Sequence, residues 1–598
     1  MDITPAIIHR ILLPLSATFD DDLPLSATLT NNFPLSPTPT ISPSTTSSLS
    51  YTIPTPNDTS ITWTIDTGTP STLTFLALPH FARHRPPLYI PVVILPDETP
   101  LGPPTTHLAI PPSLAPPFHF PTIFATSKPT LPSHPLSTYL LTALSYWSTT
   151  TPNFEQRYLS LPYGSKILVD RLPPDPREAR IHLWPCYELE RAWLSLRSFE
   201  EQTGVGLEMN GVGVVELEGL ELVRWFEEVV VLVRVKSWGG KVVVYKAVGE
   251  AGQVGYMYHE LRVLVGMGGQ RGVVGRPLGV VVKRCRFGGK VGVCGFLEEY
   301  YGEHGSLQRV LGDPVRRAVG LGQKVGWLRE LALALVYVRD HGPGFYSDLK
   351  PSNVLLVTRE DGCTAPLLID FEQRGSWYSW SPPEVQFVEF LDMLATKASS
   401  ASTRERYSEI LYRCIHGWSP QHQERPLSAA PQGYSLGWTA LDQAGQQRAQ
   451  MFGLGKMMWC VLEELPSCNT FVSIETLAEG IDQRQRFPEF DKTPAELREL
   501  IRRCTASAPE WKGKGFPAQR RGNKLVPVEP RAGTGEVPDS VYVQRLAREW
   551  WRKRVKDAEN YVKNYGVGGS VTTNAVNAEV PTLEEVVDIL INFSATVP

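Results

Sequence analysis

The stretch that most restricts the fold of this 598-residue chain is Tyr346-Ser347-Asp348-Leu349-Lys350-Pro351-Ser352-Asn353. It packs two charged groups and an amide into one short polar loop, and apolar segments bracket it on both sides. Before it, Leu328, Leu331, Leu335 and Val338 recur at helical spacing, and His341-Gly342-Pro343-Gly344 stops that helix. After it comes Val354-Leu355-Leu356, then a second acidic site in Leu367-Leu368-Ile369-Asp370-Phe371-Glu372. The loop is therefore pinned between a buried helix and buried strands. Two carboxylates and an amide held this way suit a divalent cation and a phosphorylated ligand. Magnesium is a hard ion that takes oxygen from one or two carboxylates plus phosphates.

Upstream, valine-rich strands flank Trp238-Gly239-Gly240 and form a hairpin, 229–235 with 241–248, whose glycines sit at the turn. In its second strand Val244, Lys246 and Val248 share a face, because side chains alternate. A lysine there either snorkels to solvent or pairs with a charge in a cleft. Residues 256–265 read as a helix carrying Glu260. The glycines after it, Gly266, Gly268, Gly269 and Gly272, follow a helix rather than a strand, and Arg271 breaks the G-x-G-x-x-G pattern, so they form a loop. Strands are expected near 279–283 and 290–296, and a helix over 188–199.

Charge divides the chain. Residues 1–150 carry 12 of its 120 Asp, Glu, Lys and Arg residues, so this part is set apart from the more charged remainder. Residues 1–50 are rich in Pro, Ser and Thr, with a near-repeat at Leu13-Pro14-Leu15-Ser16, Leu23-Pro24-Leu25-Ser26 and Phe33-Pro34-Leu35-Ser36. Proline this dense denies helix and sheet their hydrogen bonds, which predicts a disordered low-complexity tail. Residues 51–160 show alternation at 60–65 and 72–77 and an edge-strand pattern at 88–95, a small β-rich unit. The eight cysteines are scattered without a C-x-x-C pair, which disfavours zinc and disulfide frameworks. A net charge of −4 gives no bulk attraction to nucleic acid or acidic membranes. No apolar run reaches membrane-spanning length and the N-terminus lacks a signal-peptide pattern, so an intracellular location, cytoplasmic or nuclear, is expected.

Residues 215–595 resemble the eukaryotic protein kinase superfamily, in the form of the divergent kinase-like proteins common in fungi. The catalytic loop is similar to Tyr346 through Asn353, the D-F-G element to Asp370-Phe371-Glu372, and A-P-E to Pro382-Pro383-Glu384. The strand lysine resembles Val243-Val244-Tyr245-Lys246, with its partner at Glu260. Phe296 to Leu307 resembles the hinge, 451–459 the buried central helix, and 581–587 the start of the last helix. The resemblance implies an α+β, two-lobed fold with a small β-rich lobe and a large mainly helical lobe, behind the Pro/Ser/Thr-rich region. It implies an ATP- and Mg-dependent kinase directed at Ser or Thr of a protein substrate. By the same resemblance Asp348 and Lys350 are catalytic, Lys246 and Glu260 bind the nucleotide with Glu299 and Tyr300 beside adenine, and Asn353 and Asp370 ligate metal.

The chain departs from that pattern in specific places. Between the first two strands, where a glycine-rich loop is expected, stands Val223-Arg224-Trp225-Phe226-Glu227-Glu228, which predicts weak nucleotide affinity. Ser347 replaces an arginine, and only 13 residues separate Asp370 from Glu384, so no phosphoswitch is expected at Ser376, Tyr378, Ser379 or Ser381. Glu372 replaces a glycine, which is similar to choline- or aminoglycoside-type small-molecule kinases. Val580 stands where an arginine partner for Glu384 is usual. Insertions fall at 385–450 and 512–580. In the second, 539–564 reads as a helix with Val543, Leu546, Trp550, Ala558 and Tyr561 on one side and a basic, solvated remainder. Two alternatives to a protein kinase follow: a pseudokinase scaffold with little turnover, or a small-molecule kinase.

Overall fold

The computed structural model describes residues 62–69, 74–94, 135–226, 229–269, 272–286, 288–302, 304–316, 319–375, 380–398, 401–422, 425–468, 486–521, 524–528, 540–566 and 580–596. The expected tail and its near-repeat lie outside them, as do Ser376, Tyr378 and Ser379; Ser381 is buried. The fold is α+β. Among the described residues no helix is long and apolar enough to cross a membrane.

The first sheet holds β1 (Trp63–Thr69), β2 (Thr74–Pro79), β3 (Val92–Ile94), β4 (Lys166–Arg171) and β5 (Arg180–Trp184), neighbours in chain order. Pairing is antiparallel except for β3 with β4. A parallel pair needs a crossover, and the Pro135–Thr150 helix lies on that connection. Leu140 and Leu144 of this helix are fully buried, and Trp63 Nε1 donates to Ser148 Oγ at 3.0 Å. The sheet therefore runs to residue 184, beyond the 160 at which the strand pattern ended the unit. The edge reading of 88–95 is also corrected, because β3 sits mid-sheet. Pro91 precedes the paired residues and uses only its carbonyl, which accepts from Ile167 N at 2.9 Å.

The second sheet contains β6 (Gly213–Glu216), β7 (Leu220–Trp225), β8 (Val230–Val235), β9 (Lys241–Lys246), β10 (Gly279–Arg284) and β11 (Val291–Glu298). Their order is β6-β10-β11-β9-β8-β7, antiparallel except for β6 beside β10. Valine suits such a surface, since its branched side chain packs on the pleat. In β9, Val243 and Tyr245 are fully buried on one face, which turns Lys246 to the other. Lys246 pairs with Val230 on one side and Phe296 on the other. A Cβ at Gly295 would stand 2.4 Å from the Tyr245 ring and 2.5 Å from Lys246 O, so only glycine lets β11 lie this close.

The first sheet is tied to the second by residues 188–203. The single helix read over 188–199 is two, Glu188–Ala192 and Leu196–Thr203. Tertiary bonds break it: Leu194 O accepts from Val293 N at 2.9 Å, and Leu194 N donates to Tyr258 Oη at 2.7 Å.

After β11 the chain is mostly helical. Leu321–His341, Gln443–Glu463, Ala495–Cys504 and Leu583–Ser594 share the main core. Pro383–Lys397, Ala401–Cys414 and Ser540–Gly566 enclose a separate apolar cluster around Phe390, Leu391, Trp418 and Trp551. Here the face assigned to the basic helix is corrected. Ala558 is buried as read, but the buried line runs through Trp551, Val555 and Val562, while Leu546, Trp550 and Tyr561 are only partly buried and the Val543 side chain lies outside the described residues. Arg554 is buried too; it lies 4.8 Å from the Phe387 ring and donates to Gln386 at 2.8 Å. The helix packs against two others at once, so its covered face is wider than one stripe.

Candidate functional site

The polar loop 346–353 is placed by the hairpin that follows it. Strands β12 (Val354–Thr358) and β13 (Thr364–Leu368) pair Val354 with Leu368, so the residues before one and after the other emerge side by side. Ile369 N donates to Asn353 O at 3.1 Å, and Asn353 Nδ2 lies 3.5 Å from Asp370. Two side chains 17 residues apart in sequence thus meet because a hairpin folds back. Asp370 itself adopts a left-handed backbone, φ 66°, a conformation uncommon outside glycine.

Within the loop, Asp348 Oδ2 accepts from Lys350 Nζ at 2.7 Å and from Asn353 Nδ2 at 3.0 Å. Its other oxygen, Asp348 Oδ1, is buried with no hydrogen-bond partner. The loop is held from behind by two glutamines. Gln450 Oε1 accepts from Tyr346 N at 2.9 Å. Gln373 Oε1 accepts from Ser347 N at 2.9 Å, and its amide donates to Phe345 O at 2.6 Å.

Lys246 reaches this loop from the sheet. Its ammonium sits 2.6 Å from Glu260, 2.7 Å from Asp370 and 3.7 Å from Glu372. The cleft alternative for Lys246 is the one adopted. Glu260 is fully buried on the Val254–Met267 helix, and its second oxygen accepts from Phe371 N at 2.9 Å. One carboxylate therefore fixes both the lysine and the backbone after Asp370.

Charge here is unbalanced. Burial alone would discharge Lys246, yet Asp370, Glu260, Glu372 and Glu298 raise its pKa well above the ordinary lysine value. Burial pushes the Glu298 carboxyl up to about 7 against the pull of Lys246, with Asp370 adding repulsion. Asp370 goes the other way: burial opposes it, but Lys246, Lys350 and Arg374 hold it below the usual carboxylate range. Burial also works against the charge on Lys350, and Asp348 more than offsets that.

Oxygens of Glu260, Asp370 and Glu372 lie within 4.8 Å of one another. These oxygens surround the Lys246 ammonium; of them Asp370 also has the Asn353 carboxamide beside it, and a carboxylate with an amide oxygen is a hard donor pair of the kind magnesium takes.

Glu299 and Tyr300 stand apart from this cluster. Glu299 pairs with Lys241 at 2.9 Å on the rim, and the Tyr300 ring stacks on Phe226 with centroids 5.9 Å apart. Glu384 is half-buried, with one buried oxygen that has no hydrogen-bond partner; desolvation raises its pKa, and the opposing cations are Arg448 and Arg554. Glu298, Gln373 and Gln450 were missed as functional residues from sequence. Glu298 has a signal, being the last residue of β11 beside Val244, but the glutamines act through long-range bonds that no local pattern marks. Compared with known proteins, the chain matches no family model and no curated protein.

Proposed function

We propose that the chain is a phosphotransferase of protein-kinase type that uses ATP and magnesium to phosphorylate Ser or Thr of a protein. The observation that carries this is Lys246 bridging Glu260 at 2.6 Å and Asp370 at 2.7 Å, across 124 residues of sequence in the second case. In this reading the second sheet is the small lobe and the helical remainder the large one. Phosphoryl transfer needs positioning and charge neutralisation more than covalent help. Magnesium-bound ATP supplies the phosphoryl group and a good leaving group. Asp370 and Asn353 would hold the metal, and Lys246 would turn from Asp370 toward the phosphates while Glu260 keeps hold of it. Asp348 keeps Oδ2 on Lys350 and Asn353, which leaves Oδ1 to accept the acceptor hydroxyl proton. Lys350, 2.7 Å away, neutralises charge developing at the same place.

A second reading is a pseudokinase scaffold, favoured by the turn after β7, where Phe226 lies over Tyr300 and no glycine-rich loop is present. Glu372 beside Lys246 favours the third, a small-molecule kinase. Radiolabelled ATP with purified protein separates them, using self-labelling, generic protein acceptors, and choline or aminoglycosides. Label on protein that Asp348→Asn lowers by about 10²–10⁴-fold is the expected result. Label on the small acceptors alone selects the third reading, and no label above the Asp348→Asn background selects the scaffold.

A further inference from the structure

We propose that residues 425–434, inside the insertion before the Gln443–Glu463 helix, are a built-in brace that holds the Val254–Met267 helix where Glu260 can pair with Lys246. In this role Arg262 and Gly433 are positioning residues. The effect on rate rests on the phosphotransfer reading; the brace itself concerns only the Lys246–Glu260 pair.

Arg262 points away from Lys246 and into the segment. Its guanidinium donates to Leu427 O at 3.1 Å, Ala430 O at 2.9 Å and Pro431 O at 2.8 Å. A planar fork of donors suits three carbonyls in a way that a single ammonium does not. The same guanidinium lies 2.6 Å from His259 Nδ1. Burial and then the Arg262 charge lower the His259 pKa to about 3, so the imidazole is neutral and accepts there.

Tyr434 closes the other side. Its ring meets Tyr256 edge-on at 5.2 Å, and Arg425 stacks over it at 5.8 Å. Arg425 also donates to Gly433 O at 3.0 Å, so the segment is closed on itself.

Gly433 joins the helix to the site. It has φ +98°, and a Cβ there would come 2.7 Å from Gln373 Cβ and 3.2 Å from His259 Nε2. The backbone is thus wedged between the helix of Glu260 and the residue that holds the 346–353 loop through Ser347 and Phe345. Ser347 provides no cation for an added phosphate, and Gln373 already satisfies its backbone. Fixing this region falls to chain that is always present, so the site is assembled without modification or a partner.

The test uses the full chain, with Arg262→Ala, Gly433→Val and, as a milder change, Tyr434→Ala. Hydrogen exchange over 254–267 is read beside phosphoryl transfer. Loss of the brace should speed exchange of the 254–267 amides by about tenfold or more with β10 and β11 unchanged, and lower kcat by a similar factor with acceptor KM retained. Arg262→Lys should restore part of both. If Arg262→Ala does not fold, Tyr434→Ala carries the same readouts. Wild-type exchange over 254–267 in folded variants overturns the brace. Faster exchange over 254–267 in the variants, where the wild type itself transfers no phosphate, upholds the brace and rejects the phosphotransfer reading instead.

Discussion

Lys246 faces more carboxylates than one ammonium can neutralise, and that surplus makes the site respond to pH. Glu298 is the clearest reporter. Its folded pKa, about 7, lies above the ordinary 4.5, so the folded state prefers it protonated. Its contribution is fully present below pH 4.5 and is lost as pH rises through 7. Glu298→Gln should therefore match wild type in Tm near pH 4.5 and exceed it at pH 8. A Tm difference that stays flat from pH 4.5 to 8 would rule out this assignment. At Asp370 the sign reverses. A carboxylate held low by Lys246 adds stability above its unfolded pKa and loses it under stronger acid. Asp370→Asn should thus cost stability at pH 7, read by urea unfolding, and should abolish any stabilisation by Mg-ATP. Local pattern placed Lys246 on a strand, Glu260 on a helix and Asp370 after an apolar run, but only the resemblance of those segments to protein kinases joined the three. Glu298 ends a strand pattern, but nothing local marks it or Arg374 as facing Lys246 and Asp370, and only the assembled cleft brings their charges together.

The elements are joined by a few buried polar anchors. Glu190, fully buried, accepts from Lys283 Nζ at 2.5 Å, from Arg286 N at 2.5 Å and from Tyr163 N at 2.9 Å. Lys283 is a strand residue of the second sheet and is itself buried. Removing one partner strands the other charge, at a cost of about 3–5 kcal/mol. Glu190→Ala should cost more than Lys283→Met, because it also orphans two backbone N–H groups; urea unfolding of both measures the difference. Equal costs would mean those N–H groups find water. The three helices around Trp551 form a separate apolar cluster, so Trp551→Ala should cost about 3–5 kcal/mol there. Exchange should rise in 383–397, 401–414 and 540–566 with β9 to β11 unaffected. Sequence periodicity located that basic helix but misjudged its buried face, since a stripe argument assumes one neighbour and this helix has two. The same limit applied at 188–199, where Leu194 gives up helical bonding for β11 and Tyr258.

At the scale of the molecule, residues 63–203 are part of the structure that carries the site. Charge set 1–150 apart and the strand pattern gave a unit over 51–160, but its extension through 203 and its docking could not be read, because the docking runs through backbone groups of residues with no common pattern. Val293 N bonds Leu194 O, and Lys290 Nζ bonds both Arg191 O and Trp193 O at 2.7 Å. Tyr258, two residues before Glu260, takes Leu194 N and donates to Val293 O at 2.8 Å, while Phe199 packs on its ring at 5.5 Å. The glutamate helix is thus gripped by the N-terminal part on one flank and by 425–434 on the other. A chain beginning at residue 205 would keep every strand of the second sheet, yet it would expose Lys283 without Glu190 and leave the face of Tyr258 bare. Such a fragment should be poorly soluble or melt well below the full chain. Co-expressing residues 62–204 with it should recover soluble protein, since the lost contacts are non-covalent and need no linker. A fragment 205–598 that is soluble alone, with the full-chain Tm and the full-chain exchange over 254–267, would show that the grip from the N-terminal side contributes nothing to holding Glu260.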